Sequence, residues 1–249
     1  MSLLSQLLIF ASTLLVFMAI SRWINHRVQV IGLLVSNSSK VAVMLFYLLM
    51  FPGILLHELS HLVTARLLGM KVGKFTLGPK RRQHPIELGS VTVSSGGALR
   101  DSLVGLAPFL FGSAVLVWVS YRIFDVNALA RAWESGGWQG IFRALDGIWL
   151  VPDFWVWAYL IFVVSNAMTP SPADRQPWLL AGIYVGLAAL VIWLLGGLPL
   201  LTAALRGQVL ATLRSLTLAF MFTAVVNIAV AALLWIVETA IIGLQQQQR

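Results

Sequence analysis

About six apolar segments, each long enough to cross a membrane, limit what this chain of 249 residues can fold into. Hydrophobic residues make up 59% of the sequence and charged residues only 10%, and the mean hydropathy is +0.88. In lipid every backbone polar group needs a partner within the protein, so such segments fold as helices. The sequence therefore predicts an all-α polytopic membrane protein that forms a single membrane domain over residues 1–249. The predicted spans are Leu3 to Ile20, Val41 to Leu68, Ser102 to Ile123, Phe154 to Met168, Trp178 to Leu200 and Leu213 to Ile242.

The formal net charge of +8 comes from basic residues that lie beside the apolar segments and do not form a separate basic face. This placement is typical of contacts with the lipid bilayer, and it argues against a nucleic-acid partner. Cysteine is absent from the sequence. Disulfides, iron–sulfur clusters and thiolate metal sites are therefore excluded, and only His, Asp and Glu remain as strong metal ligands.

The connections between the spans differ in composition. We expect a polar connection over residues 21–40. Residues 71–96 alternate polar with apolar side chains and are rich in Val, Thr and Phe, which predicts a small membrane-associated β-hairpin or sheet. Residues 124–152 mix tryptophans with charged side chains and predict an amphipathic segment at the membrane surface. Two additional transmembrane helices are expected within residues 178–242.

The distribution of basic residues predicts the orientation of the chain. An even number of spans places both termini on one side of the membrane, and the positive-inside rule assigns a basic connection to the cytoplasm. The sequence thus predicts that loop 66–101 and both termini are cytoplasmic, in the cytoplasmic membrane of a prokaryote. The basic residues of this loop are Arg66, Lys71, Lys74, Lys80, Arg81, Arg82 and Arg100.

The second apolar segment contains His57, Glu58 and His61, three ionisable side chains that are costly at membrane depth. Positions i and i+4 of a helix project from one face, so His57 and His61 can direct ring nitrogens to one metal ion. Glu58 lies about 100° around the helix, where it can take a proton from a metal-activated water and later protonate a leaving amine. Independent placement predicts this pattern only on the order of 0.001 times in such a chain. The motif therefore predicts metal-assisted hydrolysis.

A catalytic zinc site normally has three protein ligands and one open position, so a third ligand comes from elsewhere in the chain. Asp174 is the favoured candidate, because the second and fourth spans run in the same direction and bring it to the side that the histidines approach. The preceding segment, Pro170 to Ala173, indicates irregular backbone that lines a polar cavity. Glu87, in the predicted hairpin, and Asp101, whose charge favours the start of the third span, lie on the same side. A turn role for Asp174 beside Arg175 is the alternative.

These residues resemble the site-two protease family of intramembrane zinc metalloproteases. Members of the family have a His-Glu-x-x-His helix followed by a membrane-associated β-hairpin, like the stretch that begins at His57 here. A later family helix bears Asn-x-x-Pro-x-Pro-x-Leu-Asp-Gly, and Asn166 and Asp174 have the same separation in this chain. The departures are Pro170 and Pro172, each one place later than in the family, and Ala173 and Arg175, in place of Leu and Gly.

The resemblance covers the chain from the histidine motif to Asp174 and implies a metalloprotease core over residues 41–176. It implies one Zn²⁺ per chain, and a substrate that is a membrane-spanning protein cleaved near or within the bilayer. Regulation would come through a membrane partner protein or through the loops. The alternative is a non-proteolytic scaffold that binds metal or transmembrane segments. The roles that the resemblance implies are zinc ligation by His57, His61 and Asp174, general-base catalysis by Glu58 and substrate binding by Asn166.

Overall fold

A computed structural model describes residues 2–80, 87–194 and 197–247 of the protein. Its architecture confirms the predicted all-α polytopic membrane protein with a small sheet after the second helix. Within the described residues, five helices are long and apolar enough to cross a membrane, and the number is six if one bent helix pair forms a single span. In chain order the elements are α1 (Leu3–Ser36), α2 (Ser39–Leu67), β1 (Val72–Lys80), β2 (Glu87–Val93), α3 (Ala98–Arg122), α4 (Val126–Trp149), α5 (Phe154–Ala167), α6 (Pro172–Arg175), α7 (Trp178–Leu194) and α8 (Gly197–Gln247).

The first helix is much longer than its predicted span. The expected polar connection over residues 21–40 is wrong, because nearly all of that stretch is helical. Ile24, Val28 and Gly32 recur at intervals of four and are buried on one face of α1. Exposed polar residues lie between the members of this apolar stripe. The average composition of the stretch is therefore polar, although the stretch is helical. α1 ends where Asn37 adopts a left-handed conformation with φ 51°.

The helices α2 and α5 run in the same direction, as the sequence predicts. Tyr159 Oη donates a hydrogen bond to the carbonyl oxygen of Leu49 at 2.8 Å. His57 Nδ1 lies 2.8 Å from the carbonyl oxygen of Ala167, and both contacts join residues separated by 110 positions. Gly53 permits this close packing, because a side chain there would collide with the backbone of α5.

The last helix, α8, is longer than the predicted span over residues 213–242, and it runs parallel to α1. Three contacts between the two helices share one sequence separation of 211 residues, so residue numbers increase together along both. The strongest is an ion pair in which Arg27 donates to Glu238 Oε1 at 2.7 Å. The guanidinium carbon of Arg27 also lies 5.2 Å from the centre of the Trp23 ring, a cation–π contact. The other two contacts join Gln6 to Thr217 and Gln245 to the carbonyl oxygen of Leu34.

The strands β1 and β2 form the predicted antiparallel hairpin directly after α2. Phe75 lies opposite Val91 in the register. The basic residues at 81–82 and the rest of the connection up to residue 86 lie outside the described residues. β2 covers the histidine motif, because Gly89 lies directly against the side chain of Glu58.

The helix α4 is bent by 106° from α5. Gly137, with φ 52°, interrupts its helical backbone. Its large aromatic side chains are exposed, namely Trp133, Trp138, Phe142 and Trp149. These exposed rings suit a location at the membrane surface, and that location stays a prediction.

The ion pair between α1 and α8 generates a stability prediction. The Glu238 side chain is 10% exposed and that of Arg27 is 35% exposed. Arg27→Met should destabilise the protein by about 1–3 kcal/mol, because it leaves the buried Glu238 carboxylate unpaired. The partial exposure of the Arg27 side chain to water limits the size of this loss. The double variant Arg27→Met/Glu238→Leu should recover most of this loss, since no charge remains to be desolvated. Denaturant unfolding in detergent measures both variants, and equal losses in the two would contradict the prediction.

Candidate metal centre

Two histidines on successive turns of α2 form the centre of the site. His57 and His61 are separated by one turn, and their ring centroids lie 4.9 Å apart at an interplanar angle of 76°. Their Nε2 atoms are 3.2 Å apart. Both side chains are largely buried, with 15% and 11% of their surface exposed. The helix therefore directs two ring nitrogens at one point, as the i, i+4 spacing predicts.

The other ring nitrogen of each histidine contacts a backbone carbonyl. His57 Nδ1 lies 2.8 Å from the carbonyl oxygen of Ala167, and His61 Nδ1 lies 2.9 Å from that of Val104. A carbonyl oxygen only accepts, so Nδ1 carries the proton in both rings and Nε2 of each neutral ring presents a lone pair. Two lone pairs that face each other at 3.2 Å repel unless a cation lies beside them. This arrangement is typical of metal-binding histidines, whose second nitrogen is held by a carbonyl or carboxylate.

The carboxylate of Asp174 faces the same point. Its Oδ1 lies 3.2 Å from His61 Nε2, and its Oδ2 lies 3.8 Å from His57 Nε2. One ligand atom from each of the three residues lies within 4.8 Å of the other two. In the described part of the chain, this is the one group of three such side chains that could hold a metal ion. Two imidazole nitrogens and a carboxylate oxygen form a donor set that fits Zn²⁺.

A capping box fixes the position of Asp174 on the short helix α6. Ser171 is the N-cap, and its side chain accepts a hydrogen bond from the backbone N–H of Asp174. Asp174 Oδ2 in turn accepts from the backbone N–H of Ser171 at 2.7 Å. Pro172 occupies the first turn, where its missing N–H costs nothing. The sequence contained this signal as Ser171-x-x-Asp174, a capping-box pattern that sequence reasoning did not use.

Close packing of α3 holds α6 against the histidines. A Cβ added at Gly105 would collide with the carbonyl oxygen of Asp174, and one at Gly112 would crowd the side chain of Met168. These two glycines therefore allow α3 to touch the segment that follows α5. The same turn of α3 supplies the carbonyl of Val104 that accepts from His61.

Glu58 is buried beside the histidines, with 8% of its surface exposed. It lines a cavity of about 910 Å³ together with His57, His61 and Asp174. The backbone of β2 at Gly89 forms the wall next to the Glu58 carboxylate. A carboxylate in this position can exchange a proton with a water molecule held in the cavity.

The structure does not bring the other acidic candidates into the cluster. Asp101 accepts from Ser95 Oγ at 2.7 Å and from the backbone N–H of Gly96 at 2.8 Å, in the first turn of α3. It therefore stabilises the start of a helix, as its sequence position predicts. Glu87 lies at the start of β2, opposite Lys80 in the hairpin register.

Asparagine side chains form part of the site, and sequence reasoning found only some of them. Asn166 lines the cavity and is 4% exposed. Asn227 on α8 donates a hydrogen bond to Ser165 of α5. Asn25 also lines the cavity, and it was missed because its stretch of α1 was expected to be a polar connection between two spans.

Comparison with known proteins gives no match for this chain among protein-family models, curated proteins or solved structures.

Gly105 provides a test of how the candidate metal ligands are held. Gly105→Ala should push α6 away from the histidines, because the added methyl group collides with the backbone of Asp174. We expect zinc affinity to fall about 10- to 100-fold, the range seen when the support of a ligand is lost. Titration of the metal-free protein in competition with a chelator measures the affinity. Gly186→Ala on α7 is the matched control, because a Cβ there meets open space. Equal affinities for the two folded variants would contradict the prediction.

Proposed function

We propose that this protein is an intramembrane zinc metalloendopeptidase that hydrolyses peptide bonds of membrane-spanning proteins. The observation that carries the proposal is the convergence of His57 Nε2, His61 Nε2 and the Asp174 carboxylate beside the buried Glu58. Three protein ligands leave a fourth position for water or substrate, which is the arrangement of catalytic zinc sites. The resemblance of the motif residues to site-two proteases supports the same conclusion.

The residues divide the chemistry between them. His57, His61 and Asp174 would hold one zinc ion, which when bound lowers the pKa of water towards about 7 and polarises a carbonyl group. Glu58 accepts the proton that water loses as its oxygen bonds to the peptide carbonyl carbon. Glu58 then delivers this proton to the nitrogen as the carbon–nitrogen bond breaks, so that the amine leaves neutral. The carbonyls of Ala167 and Val104 keep the imidazole rings in the tautomer that ligates metal.

The proposed substrate follows from where the site lies. His57, Glu58 and His61 belong to α2, one of the helices apolar enough to cross a membrane. A water-soluble protein does not reach this depth, whereas a transmembrane segment moves within the bilayer to the cavity. The segment must unwind there, because the carbonyl carbons of an intact helix lie beneath its own side chains.

Substitution of the general base separates an enzyme from the alternative, a scaffold that binds transmembrane segments without cleaving them. Glu58→Gln should keep zinc affinity, because the residue is not a ligand, and should reduce cleavage by at least about 100-fold. The assay uses a purified single-span reporter protein with a helix-destabilising Asn-Pro pair at the centre of its span. Glu134→Gln on α4 is the matched control, since its side chain is 66% exposed. Unchanged cleavage in Glu58→Gln would refute general-base catalysis, and reporter binding without cleavage by the zinc-loaded native protein would favour the scaffold.

We also propose that the two termini lie on opposite faces of the membrane, in place of the expectation that both are cytoplasmic. The parallel packing of α1 and α8 supports this, because two spanning helices that run in the same direction begin on the same face. α1 crosses the membrane and α2 returns to the face where α1 begins. Since α5 runs parallel to α2, it ends on that same face, which is also the face where α8 begins. This orientation requires α7, which is 17 residues long, to begin and end on that face, although Pro172–Ile192 is one of the five segments long and apolar enough to cross a membrane.

Reporter fusions test this orientation. With loop 66–101 in the cytoplasm, the N-terminus is also cytoplasmic and the C-terminus is external. A green fluorescent protein fused to the N-terminus should be fluorescent in a bacterial inner membrane. At the C-terminus it should be dark, whereas alkaline phosphatase fused there should be active. Fluorescence from fusions at both ends would contradict the proposal.

A further inference from the structure

The cavity beside the candidate metal ligands continues along α2, towards the start of that helix. Ile54, Met50 and Phe46 all line it. They recur at intervals of four residues and form one stripe on α2, the α2 stripe, which Glu58 continues. Phe46 precedes His57 by 11 residues, about 16 Å along a helix. The candidate metal ligands therefore lie at one end of the cavity, and apolar side chains extend from there along α2.

Two asparagines from neighbouring helices also line the cavity, and their polar atoms are turned into the protein. Asn25 Nδ2 donates to the carbonyl oxygen of Asn166 at 3.1 Å, and Asn166 Nδ2 donates to that of Phe162 at 2.8 Å. The side-chain oxygens of both asparagines are almost completely shielded from solvent. These residues therefore add little polar surface to the cavity, and the wall next to the α2 stripe stays apolar.

The α2 stripe is packed inside the bundle and still borders open space. Ile54 and Phe46, at its two ends, are 7% and 8% exposed, and Met50 between them is 2% exposed. All three belong to the main hydrophobic core of the protein. Apolar side chains offer water no hydrogen bonds, and they gain contacts when an apolar group fills the space beside them. This part of the cavity is therefore suited to an apolar ligand group.

The α2 stripe begins close to the point where a peptide bond would be cleaved. Ile54 precedes Glu58 by four residues, about 6 Å along the helix, and lies on the same side of it. In the proposed reaction, the attacked peptide bond lies within hydrogen-bond reach of Glu58. The side chain of a residue next to that bond would therefore extend into the part of the cavity that Ile54 lines. Leu88 of β2 lines the cavity as well and packs against the same core.

We propose that Ile54, Met50 and Phe46 form a specificity pocket for a large apolar side chain of the substrate, from a residue next to the cleaved bond. The inference rests on the proposed function for the presence of a peptide substrate. Leu, Met and Phe side chains gain free energy when they fill an apolar cavity. A charged side chain would lose its hydration there without finding a partner on the α2 stripe. Ile54, the member nearest to Glu58, is the specificity-determining residue.

Competition between substrates tests the pocket in the native protein. Mass spectrometry of the products first locates the bond that is cleaved in the single-span reporter with a central Asn-Pro pair. Each of the two residues that flank this bond is then varied. At one of them, Leu should give a kcat/KM at least about tenfold higher than Ala, because Leu fills the pocket. Lys at the same position should give a kcat/KM below that of Ala. Two reporters in one reaction give the ratio of their kcat/KM values, whatever the amount of active protein.

A change in the size of Ile54 should change this preference. Ile54→Ala enlarges the pocket, so the kcat/KM of a Phe reporter relative to the Leu reporter should rise about tenfold. Ile54→Phe narrows the pocket and should shift the preference from Leu towards Ala. Ile148→Ala on α4 is the matched control, because Ile148 is similarly buried, at 9% exposure, and does not line the cavity. Its ratios should equal those of the native protein. If Ile54→Ala fails to fold, Ile54→Val should give a smaller shift in the same direction.

Different outcomes overturn different claims. Equal cleavage of the Leu and Ala reporters at both flanking positions overturns the pocket. Equal Phe-to-Leu ratios for Ile54→Ala and Ile148→Ala overturn the role of Ile54. The proposed function stands in both cases, because the reporters are cleaved. Absence of cleavage of every reporter by the folded, zinc-loaded native protein overturns both proposals.

Discussion

Two hydrogen bonds from imidazole Nδ1 atoms to backbone carbonyls are the interactions on which the site depends. The bond from His57 ties α2 to the end of α5, and the bond from His61 ties α2 to α3. Each bond satisfies a carbonyl group and, in the same step, turns Nε2 of the ring towards Asp174. Loss of either bond would let an imidazole ring rotate and would remove a contact between two helices. The orientation of the rings and the packing of the helices therefore depend on the same two bonds.

Small residues make these bonds possible. The carbonyl of Ala167 reaches His57 because Gly53 lets the α5 backbone approach α2, and Asp174 reaches the histidines because Gly105 lets α6 approach α3. In lipid the hydrophobic effect does not drive helices together, so close backbone contact and interhelical hydrogen bonds must do so. The three helices of the predicted core are therefore held by features that also shape the cavity.

The sequence predicted the parts of the structure that depend on local pattern. The spacing of His57 and His61, the hairpin over residues 71–96 and the shared direction of α2 and α5 all follow from periodicity and span counting. The length of α1 was not predicted, because its exposed polar residues have the composition of a loop at a membrane boundary. The buried stripe that contains Ile24 and Val28 indicates the helix, and the prediction did not use it. The direction of α8 was not predictable from span counting, because six alternating crossings would place the first and last helices antiparallel, whereas α1 and α8 are parallel. Side-chain orientations such as that of Asn166 depend on partners 61 residues away and leave no local signal.

The buried asparagines connect stability with the chemistry of the site. A carboxamide has two donors and an acceptor with two lone pairs, so a fully buried one is difficult to satisfy completely. In Asn166 the donors are bound by α5 and α8, while its oxygen has no partner within the part of the chain that the structure describes, and the same holds there for the oxygen of Asn25. A purely structural network would gain by pairing those oxygens, because each unsatisfied group costs about 1–3 kcal/mol. Both residues line the cavity next to the candidate metal ligands, so part of the unpaired buried polarity of the bundle lies at the candidate site.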